Sequence, residues 1–575
     1  MKPSFALPKF VVQSAILSLM ALTTASAAQP PNVVFILADD LGYGNHGFTG
    51  NPRQKTPHID QLAKESVRFT DFHVSAICTP SRSELMTGIA AYRNGASGTI
   101  SGRNTLRTDL PVMPQFFKDN GYATAHFGKW HLGDSYPYRP NDRGFDLTYR
   151  YNSFGLHSIA THWESVAFND IGWRNNENVT FTGYNTDFFT SQSIAWMKEQ
   201  RQKPFFVYLA PTAPHAPLYV APQYEKPYED MGKVVASFFA MTANLDENVG
   251  RVLKYIDDSG QRDNTIVIYM TDNGTAERSG FYNAGMRGTK GAPYEGGHRV
   301  PFLIRWPAGL KGQPRDISAL THSTDILPTV LELANLKVQR PTHFDGHSLK
   351  PLLDGKPDPQ PERWAVMQFG EEFKKWDGTV MWNKWRLING KELFDIATDP
   401  SQKTDLAAAK PEVVKTMRDY YEDWVKKTEP LLNPDNYFGV GSKDEPVTDL
   451  TAEGWMGPRL SDWKYMAMVK EKNFGHWKIE AVSSGNYEVK FYNFPPEAST
   501  GLNQALRNVP ARPIAQARLL IDGKEVATQA ASTSPYASFT LALKQGERHH
   551  IEGQFLDVAG NPLVGAFFLR MNLVP

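Results

Sequence analysis

Cys78 is the only cysteine in the chain, and it opens the run Cys78-Thr79-Pro80-Ser81-Arg82. Pro80 suits the first turn of a helix, and the free N–H groups of such a turn favour an anion, so Cys78 stands where a sulfate or phosphate would bind. Arg82 would offer the same ligand a planar fork of donors. Elsewhere Asp39, Asp40, Asp272 and Asn273 supply only oxygen ligands. Three are carboxylates, which suits a hard cation such as calcium, whereas zinc would want His or Cys. Lys129 and Lys290 bring compact positive charges, and His131 and His215 bring imidazoles able to move protons near neutral pH. Each cluster alone reads equally as loop punctuation, since Asp, Asn, Gly and His-Pro combinations are common in turns.

The elements that precede these clusters supply a reason for them to meet. The apolar runs 32–38 (NVVFILA), 122–127, 205–210 and 265–270 read as buried strands. They end at Asp39-Asp40, at Gly128-Lys129-Trp130-His131, ahead of Pro214-His215, and at Asp272-Asn273-Gly274. Helical segments alternate with them, which predicts an α/β domain with a mostly parallel sheet flanked by helices. In such a sheet the carboxyl ends of the strands share one edge, where ligands bind. A helix starting near Pro80 is expected to place Cys78 just before its first turn.

Beyond about Asn335 the pattern changes to short strands within 380–388 and 392–395. A helix follows, opened by Pro411 and carrying Val414, Met417, Tyr421 and Trp424 on one face. This predicts a smaller α+β subdomain over 336–430, after a catalytic unit over 28–335. Residues 431–450, rich in Asn, Asp, Pro and Gly, read as a linker. The remainder, 451–575, predicts a β-sandwich-like module with strands near 477–482, 487–491, 517–521, 538–543 and 567–573 and a hairpin turn at Asp522-Gly523.

Lys2 and Lys9, the apolar run 10–22 and the site Ala25-Ser26-Ala27 form a secretory leader, residues 1–27, which predicts a periplasmic or secreted protein. No later segment is apolar enough to span a membrane, so no stable membrane insertion is expected. Lys plus Arg and Asp plus Glu both total 61, so no global charge draws the chain to nucleic acid, and an anionic substrate must be met by local cations. A single cysteine in an oxidising compartment can form no internal disulfide and calls for another explanation.

Cys78-Thr79-Pro80-Ser81-Arg82 with Thr87-Gly88 resembles the hallmark of the formylglycine-dependent sulfatases, of the alkaline-phosphatase-like superfamily. The resemblance covers roughly residues 31–425. Asp39-Asp40, Gly128-Lys129-Trp130-His131, Pro214-His215-Ala216-Pro217, Asp272-Asn273-Gly274, Arg287-Gly288-Thr289-Lys290-Gly291 and Glu295-Gly296-Gly297 follow in family order. It implies that a maturation enzyme oxidises Cys78 to formylglycine. The hydrated aldehyde, held at a calcium ion with Asp39, Asp40, Asp272 and Asn273, would then attack sulfur. The alcohol leaves, and the sulfated hemiacetal expels sulfate as its second hydroxyl collapses to the aldehyde. Arg82 would favour the ionised diol, Lys129 and Lys290 would hold sulfate oxygens, His131 would take the hydroxyl proton, and His215 would protonate the departing alcohol.

One departure is Asn45-His46 after Leu41-Gly42-Tyr43-Gly44, where family members often carry an acid. Altered loop hydrogen bonding and altered substrate contacts, with the chemistry kept, are the expected consequences, and His298 is read as structural or as a support behind the residues of the site. Tyr149, Tyr151, Phe154, His157, His162, Trp163 and Trp173 form a candidate wall for a sugar or aryl ring. A sulfated carbohydrate or an aryl sulfate ester is the expected substrate, with the glycan favoured. The alternatives are a phosphodiesterase or phosphonate monoester hydrolase with the same fold and nucleophile, and an inactive glycan-binding protein.

Overall fold

A computed structural model describes residues 29–276, 281–312, 314–469 and 472–574, with residues 1, 3 and 4. Apart from those three, the expected leader lies outside the described residues. Strand Asn32–Ala38 is buried along all seven residues. Its side chains alternate between two cores: Val33, Phe35 and Leu37 enter one, and Val34, Ile36 and Ala38 enter the other. That two-sided burial is why the run is continuously apolar and does not alternate with polar residues.

The strand lies near the middle of a ten-stranded sheet. It pairs in parallel with Phe205–Ala210 on one side and Thr265–Thr271 on the other. Ala123–Lys129 continues the parallel set beside Phe205–Ala210, and Leu147–Tyr151 follows it. The edges depart from the parallel pattern. Phe302–Arg305 runs antiparallel to both of its neighbours, Thr265–Thr271 and Val67–Phe69, and a hairpin, Phe168–Arg174 with Glu177–Tyr184, closes the opposite edge. The sheet is therefore mixed, with the parallel strands at its centre.

Four antiparallel strands between Trp364 and Asp395 form a second sheet. Helix Pro411–Thr428 covers it, burying Val414, Met417, Tyr421 and Val425. Val425 takes the buried place expected of Trp424, whose ring stacks on Tyr421 at 5.8 Å from only partial burial.

The C-terminal region forms two further sheets around one core that includes Trp455, Trp477, Tyr487, Phe491 and Phe555. The 431–450 segment corrects the linker reading. Phe438–Val440 pairs in parallel with Trp477–Ala481, and Val447–Thr451 pairs with Phe568–Val574, so the segment gives a strand to each sheet. Residues 441–446 make the turn between these two strands, while Asn433, Pro434 and Asn436 precede the first of them. The sandwich is also stitched to the first sheet's loops. Tyr138 and Ile159 enter its core, Arg139 pairs with Glu445 at 3.2 Å, and the Ser158 hydroxyl donates to Glu453 at 2.7 Å. Among the described residues, no helix is long and apolar enough to cross a membrane.

Gly128, just before Lys129, has φ +116°, and a Cβ there would lie 2.1 Å from the Ala210 carbonyl oxygen on the next strand. Gly128→Ala is expected to destabilise the protein by about 1–3 kcal/mol, as overpacking does. The thermal unfolding midpoint reads this, and an unchanged midpoint would show that the two strands part without strain.

Candidate active site

The parallel register brings distant residues together. Ala38 lies opposite Thr271, so Asp39 and Asp272 leave the sheet side by side. The Asp39 N–H donates to the Ala213 carbonyl at 3.2 Å, and the Asp40 N–H donates to Asp272 Oδ1 at 3.1 Å. Asp40 has φ 65°, a left-handed conformation uncommon away from glycine, which turns its carboxylate back over the strand ends. Asp39, Asp40, Asp272 and Asn273 are all buried.

Helix Cys78–Thr87 is buried at every position and ends at Gly88, in the left-handed region with φ 69°. It starts at Cys78 itself, two residues earlier than Pro80, so Cys78 occupies the first helical position. Polar contacts anchor the helix. The Ser81 hydroxyl donates to the Ser75 carbonyl at 2.8 Å, and the Ser323 hydroxyl donates to Glu84 at 2.6 Å. Burial pushes the Glu84 carboxyl up to about 7.

Cys78 Sγ lies 3.6 Å from an Asp39 oxygen, 3.8 Å from an Asp40 oxygen and 3.3 Å from Lys290 Nζ. Ligand atoms of Cys78 and the three aspartates all fall within 4.8 Å of one another. Cations surround this concentration of negative charge. Arg82 donates two N–H groups to Asp272 Oδ2, at 3.0 and 2.8 Å, and a third to the Lys129 carbonyl. Lys129 Nζ donates to both Asp39 oxygens, at 3.0 and 2.8 Å, and Lys290 Nζ reaches Asp40 at 2.5 Å.

Burial raises Asp39 to about 7, against the pull of Lys129. Burial acts on Asp40 in the same sense, but its polar neighbours, Lys290 foremost, together outweigh it and hold that carboxyl well below the usual range. The Cys78 thiol is pushed up to about 12 by burial, which Lys129 and Lys290 only partly offset.

The two lysines differ in a way their sequence positions do not reveal. Lys129 is fully buried and committed to Asp39, whereas the Lys290 side chain keeps about a fifth of its surface exposed. Lys290 therefore faces the entrance, and Lys129 holds the floor.

The histidines are placed with one nitrogen committed and one free. His131, left-handed at φ 59°, approaches the Thr99 carbonyl with Nε2 at 3.1 Å, and its buried Nδ1 has no partner. A carbonyl only accepts, so Nε2 carries the hydrogen and Nδ1 the lone pair. His215 Nδ1 likewise meets the Ala216 carbonyl at 2.5 Å, which leaves Nε2 facing Asp40 Oδ2 at 3.7 Å. Burial pushes His215 down to about 3 and His131 far below its usual value, so both rings are uncharged at neutral pH.

The oxygen set fits a hard cation. Asn273 donates its Nδ2 to Asp40 at 2.9 Å, while its Oδ1 is buried without a hydrogen-bond partner. An orphaned carbonyl oxygen beside three carboxylates is what calcium coordination would satisfy.

The expected aromatic wall divides. Phe154 lies 6.3 Å from the His131 ring and 5.9 Å from that of His215, so it borders the centre. Tyr151 is wholly buried in the core, and Tyr149 packs on Phe127. Trp163 meets Trp463 of the C-terminal sandwich at 4.3 Å, and His157 lies beside Tyr219. His298 Nδ1 lies 2.9 Å from that of His73, in a buried group that also includes Glu295. The Asn45 departure stays local, since Asn45 Oδ1 accepts from the Gly42 N–H at 2.9 Å.

Sequence reasoning missed Thr79, whose hydroxyl donates to the His131 carbonyl at 3.0 Å, and Thr99, which fixes the His131 ring. Thr79 sat inside the recognised motif. Nothing local marked Thr99.

Comparison with known proteins agrees with this geometry. The profile of the Sulfatase family matches residues 31–336, and that of the C-terminal region of N-sulphoglucosamine sulphohydrolase matches residues 289–427. The chain is 28% identical over 508 residues to the uncharacterized sulfatase YdeN of Escherichia coli (strain K12), covering 72% of this chain and 89% of that protein. It is 31% identical over 367 residues to N-acetylgalactosamine-6-sulfatase of Mus musculus, covering 59% and 69%. The crystal structure of Ps i-CgsB in complex with k-i-k-neocarrahexaose superposes with a TM-score of 0.62 at 28% identity, covering 69% of this chain and 93% of that one. With the strand-end aspartates, the helix-borne Cys78 and the Lys290 loop converging on one buried centre, the chain belongs to the sulfatase family, as a sulfuric ester hydrolase of alkaline-phosphatase-like fold.

Proposed function

We propose that the protein is an exported carbohydrate sulfatase whose nucleophile is formylglycine made from Cys78 by a maturation enzyme, and whose calcium ion is bound by Asp39, Asp40, Asp272 and Asn273. The observation that carries this reading is the position of Cys78, within 3.8 Å of two of those carboxylates and against Lys290. A thiol pushed up to about 12 supplies almost no thiolate at neutral pH, so an unmodified Cys78 is a poor nucleophile. As formylglycine, the residue carries a hydrated aldehyde whose oxygen takes that role. Calcium, when bound, supplies polarisation of a sulfate oxygen.

The chain's own residues do the remaining work. Lys290, exposed at the entrance, meets the incoming sulfate as a point charge. Arg82 and Lys129 neutralise the buried carboxylates and keep them in place. His215 enters uncharged, and the negative sulfate beside Asp40 favours its protonation at Nε2, the nitrogen that would then serve the departing alcohol. His131 offers Nδ1 as the base for the hydroxyl of the modified Cys78. The names of two similar proteins, N-acetylgalactosamine-6-sulfatase and the complex with k-i-k-neocarrahexaose, favour a sugar as the alcohol.

Mass spectrometry of the Cys78 peptide from the native host tests the nucleophile. Loss of hydrogen sulfide with gain of oxygen is the expected result, and a wholly unmodified thiol would end the scheme. A matched pair of sulfate ester and phosphate diester should show clear preference for the sulfate. Calcium at a hundred times its Kd should stabilise the parent by about 2.7 kcal/mol. Asp272→Ala should lose both that gain, read from thermal unfolding with calcium or chelator, and the activity. His215→Ala should slow esters of poor leaving groups roughly 100-fold or more and activated aryl sulfates far less. An equal loss across leaving groups would remove His215 as the acid.

A further inference from the structure

Two loops that border the reaction centre run on into the seam between the catalytic sheet and the C-terminal sandwich. His131 leads into Gly133, Asp134 and Ser135, and Asn152 precedes Phe154. These residues line a cavity of about 90 Å³ whose opposite wall is the sandwich, including Phe438, Glu453 and Phe568. Asp134 is three residues from His131, so their backbones lie at most about 11 Å apart. Cys78, Asp39, Asp40, Asp272 and Lys290 take no part in lining it.

Three side chains of this cavity carry a buried polar atom without a hydrogen-bond partner, the Oδ1 atoms of Asn104 and Asn152 and Oε2 of Glu453. Asn104 is 4% exposed with its Oδ1 unsatisfied, and Glu453 is 1% exposed with its Oε2 unsatisfied. The other Glu453 oxygen accepts from the Ser158 hydroxyl at 2.7 Å. Burial holds Glu453 well above the usual carboxylate range, against the opposing pull of the Ser153 and Ser158 hydroxyls, so it keeps its proton, with Oε2 the oxygen turned away from Ser158. The cavity thus presents an idle acceptor on one side and an idle donor on the other. A sugar hydroxyl satisfies both, since it donates and accepts at once.

The rest of the lining agrees in character. Trp173, Phe438 and Phe568 offer apolar faces of the kind a pyranose ring packs against. A second sulfate would find no counter-charge, because the carboxyl residues Asp134, Asp449, Glu453 and Glu497 line the cavity and neither lysine nor arginine does.

We propose that this cavity is part of a sugar subsite, taking the hydroxyl-bearing edge of an unsulfated substrate residue next to the residue whose sulfate is at Cys78. It rests on the carbohydrate reading above, and it gives the C-terminal sandwich a part in substrate selection. The enzyme would then prefer oligosaccharides over sulfated monosaccharides.

The test uses the full-length mature enzyme with Asn104→Ala, Trp173→Ala and Glu453→Gln, the last of which keeps an uncharged donor. Substrates are an aryl sulfate, N-acetylgalactosamine 6-sulfate, and sulfated oligosaccharides that include k-i-k-neocarrahexaose. Asn104→Ala and Trp173→Ala should each lower kcat/KM on an oligosaccharide roughly three- to tenfold, the worth of about one hydrogen bond or ring contact. The aryl sulfate should be untouched, and Glu453→Gln, which keeps a donor, should lose less on the oligosaccharide than Asn104→Ala does. Losses shared by all substrates, or oligosaccharide rates unchanged in both variants, would overturn the subsite. Should the parent cleave the aryl sulfate and no sulfated sugar, the carbohydrate reading falls by itself. Calorimetric titration with neutral galactobiose then decides the cavity: binding lost in Asn104→Ala supports it, and absence of binding overturns it.

Discussion

Burying Asp39, Asp40 and Asp272 with their oxygens inside 4.8 Å is the constraint around which the molecule is arranged. At that separation each pair of like charges repels by on the order of 3–4 kcal/mol, even at an effective dielectric of about 20. Arg82, Lys129 and Lys290 answer that repulsion, and their geometry decides how. Arg82 grips Asp272 through two N–H groups, Lys129 spans both oxygens of Asp39, and Lys290 meets Asp40 from the solvent side. Removing any partner strands a buried charge, which costs more than the pair contributes. The orphaned Asn273 oxygen shows that these cations leave part of the site's demand unmet.

Such a cluster needs a rigid frame. The central strands are buried on both faces, so their ends cannot drift without breaking two cores at once. Helix Cys78–Thr87 is buried all round and tied at Ser81 and Glu84, which holds Cys78 against the strand ends. The left-handed conformations of Asp40 and His131 are tolerable only within such a frame, because each is fixed by hydrogen bonds to residues far away in sequence.

The sandwich adds a second consequence of packing. It takes Tyr138 and Ile159 from the catalytic loops into its own core. The loop that follows His131 is thereby clamped between two domains. The wall of the cavity beside it belongs to both domains, so recognition there depends on their docking as much as on any one residue.

Much of this was legible in the order of residue types. Apolar runs ending in Asp-Asp, Lys-Trp-His and Asp-Asn marked the strands and their shared edge, because two-sided burial demands uninterrupted apolar side chains. The helix opened by Pro411 and the hairpin turn at Asp522-Gly523 were equally local signals. The Cys78 motif carried the family resemblance together with the strand-end and loop motifs that accompany it in family order. Other features had no local signature. Residues 431–450 read as a linker because strand pairing, not composition, makes 438–440 and 447–451 part of the sandwich. Trp424 and Val425 exchanged places because the helix face is set by the sheet beneath it. The sequence alone determined which chemical groups are present and which strands carry them. Only the tertiary structure decided that Lys129 is sealed against Asp39 while Lys290 faces solvent, and which nitrogen of each histidine is free. Those properties depend on neighbours tens to hundreds of residues away, and their burial and hydrogen bonds exist only once the chain is packed.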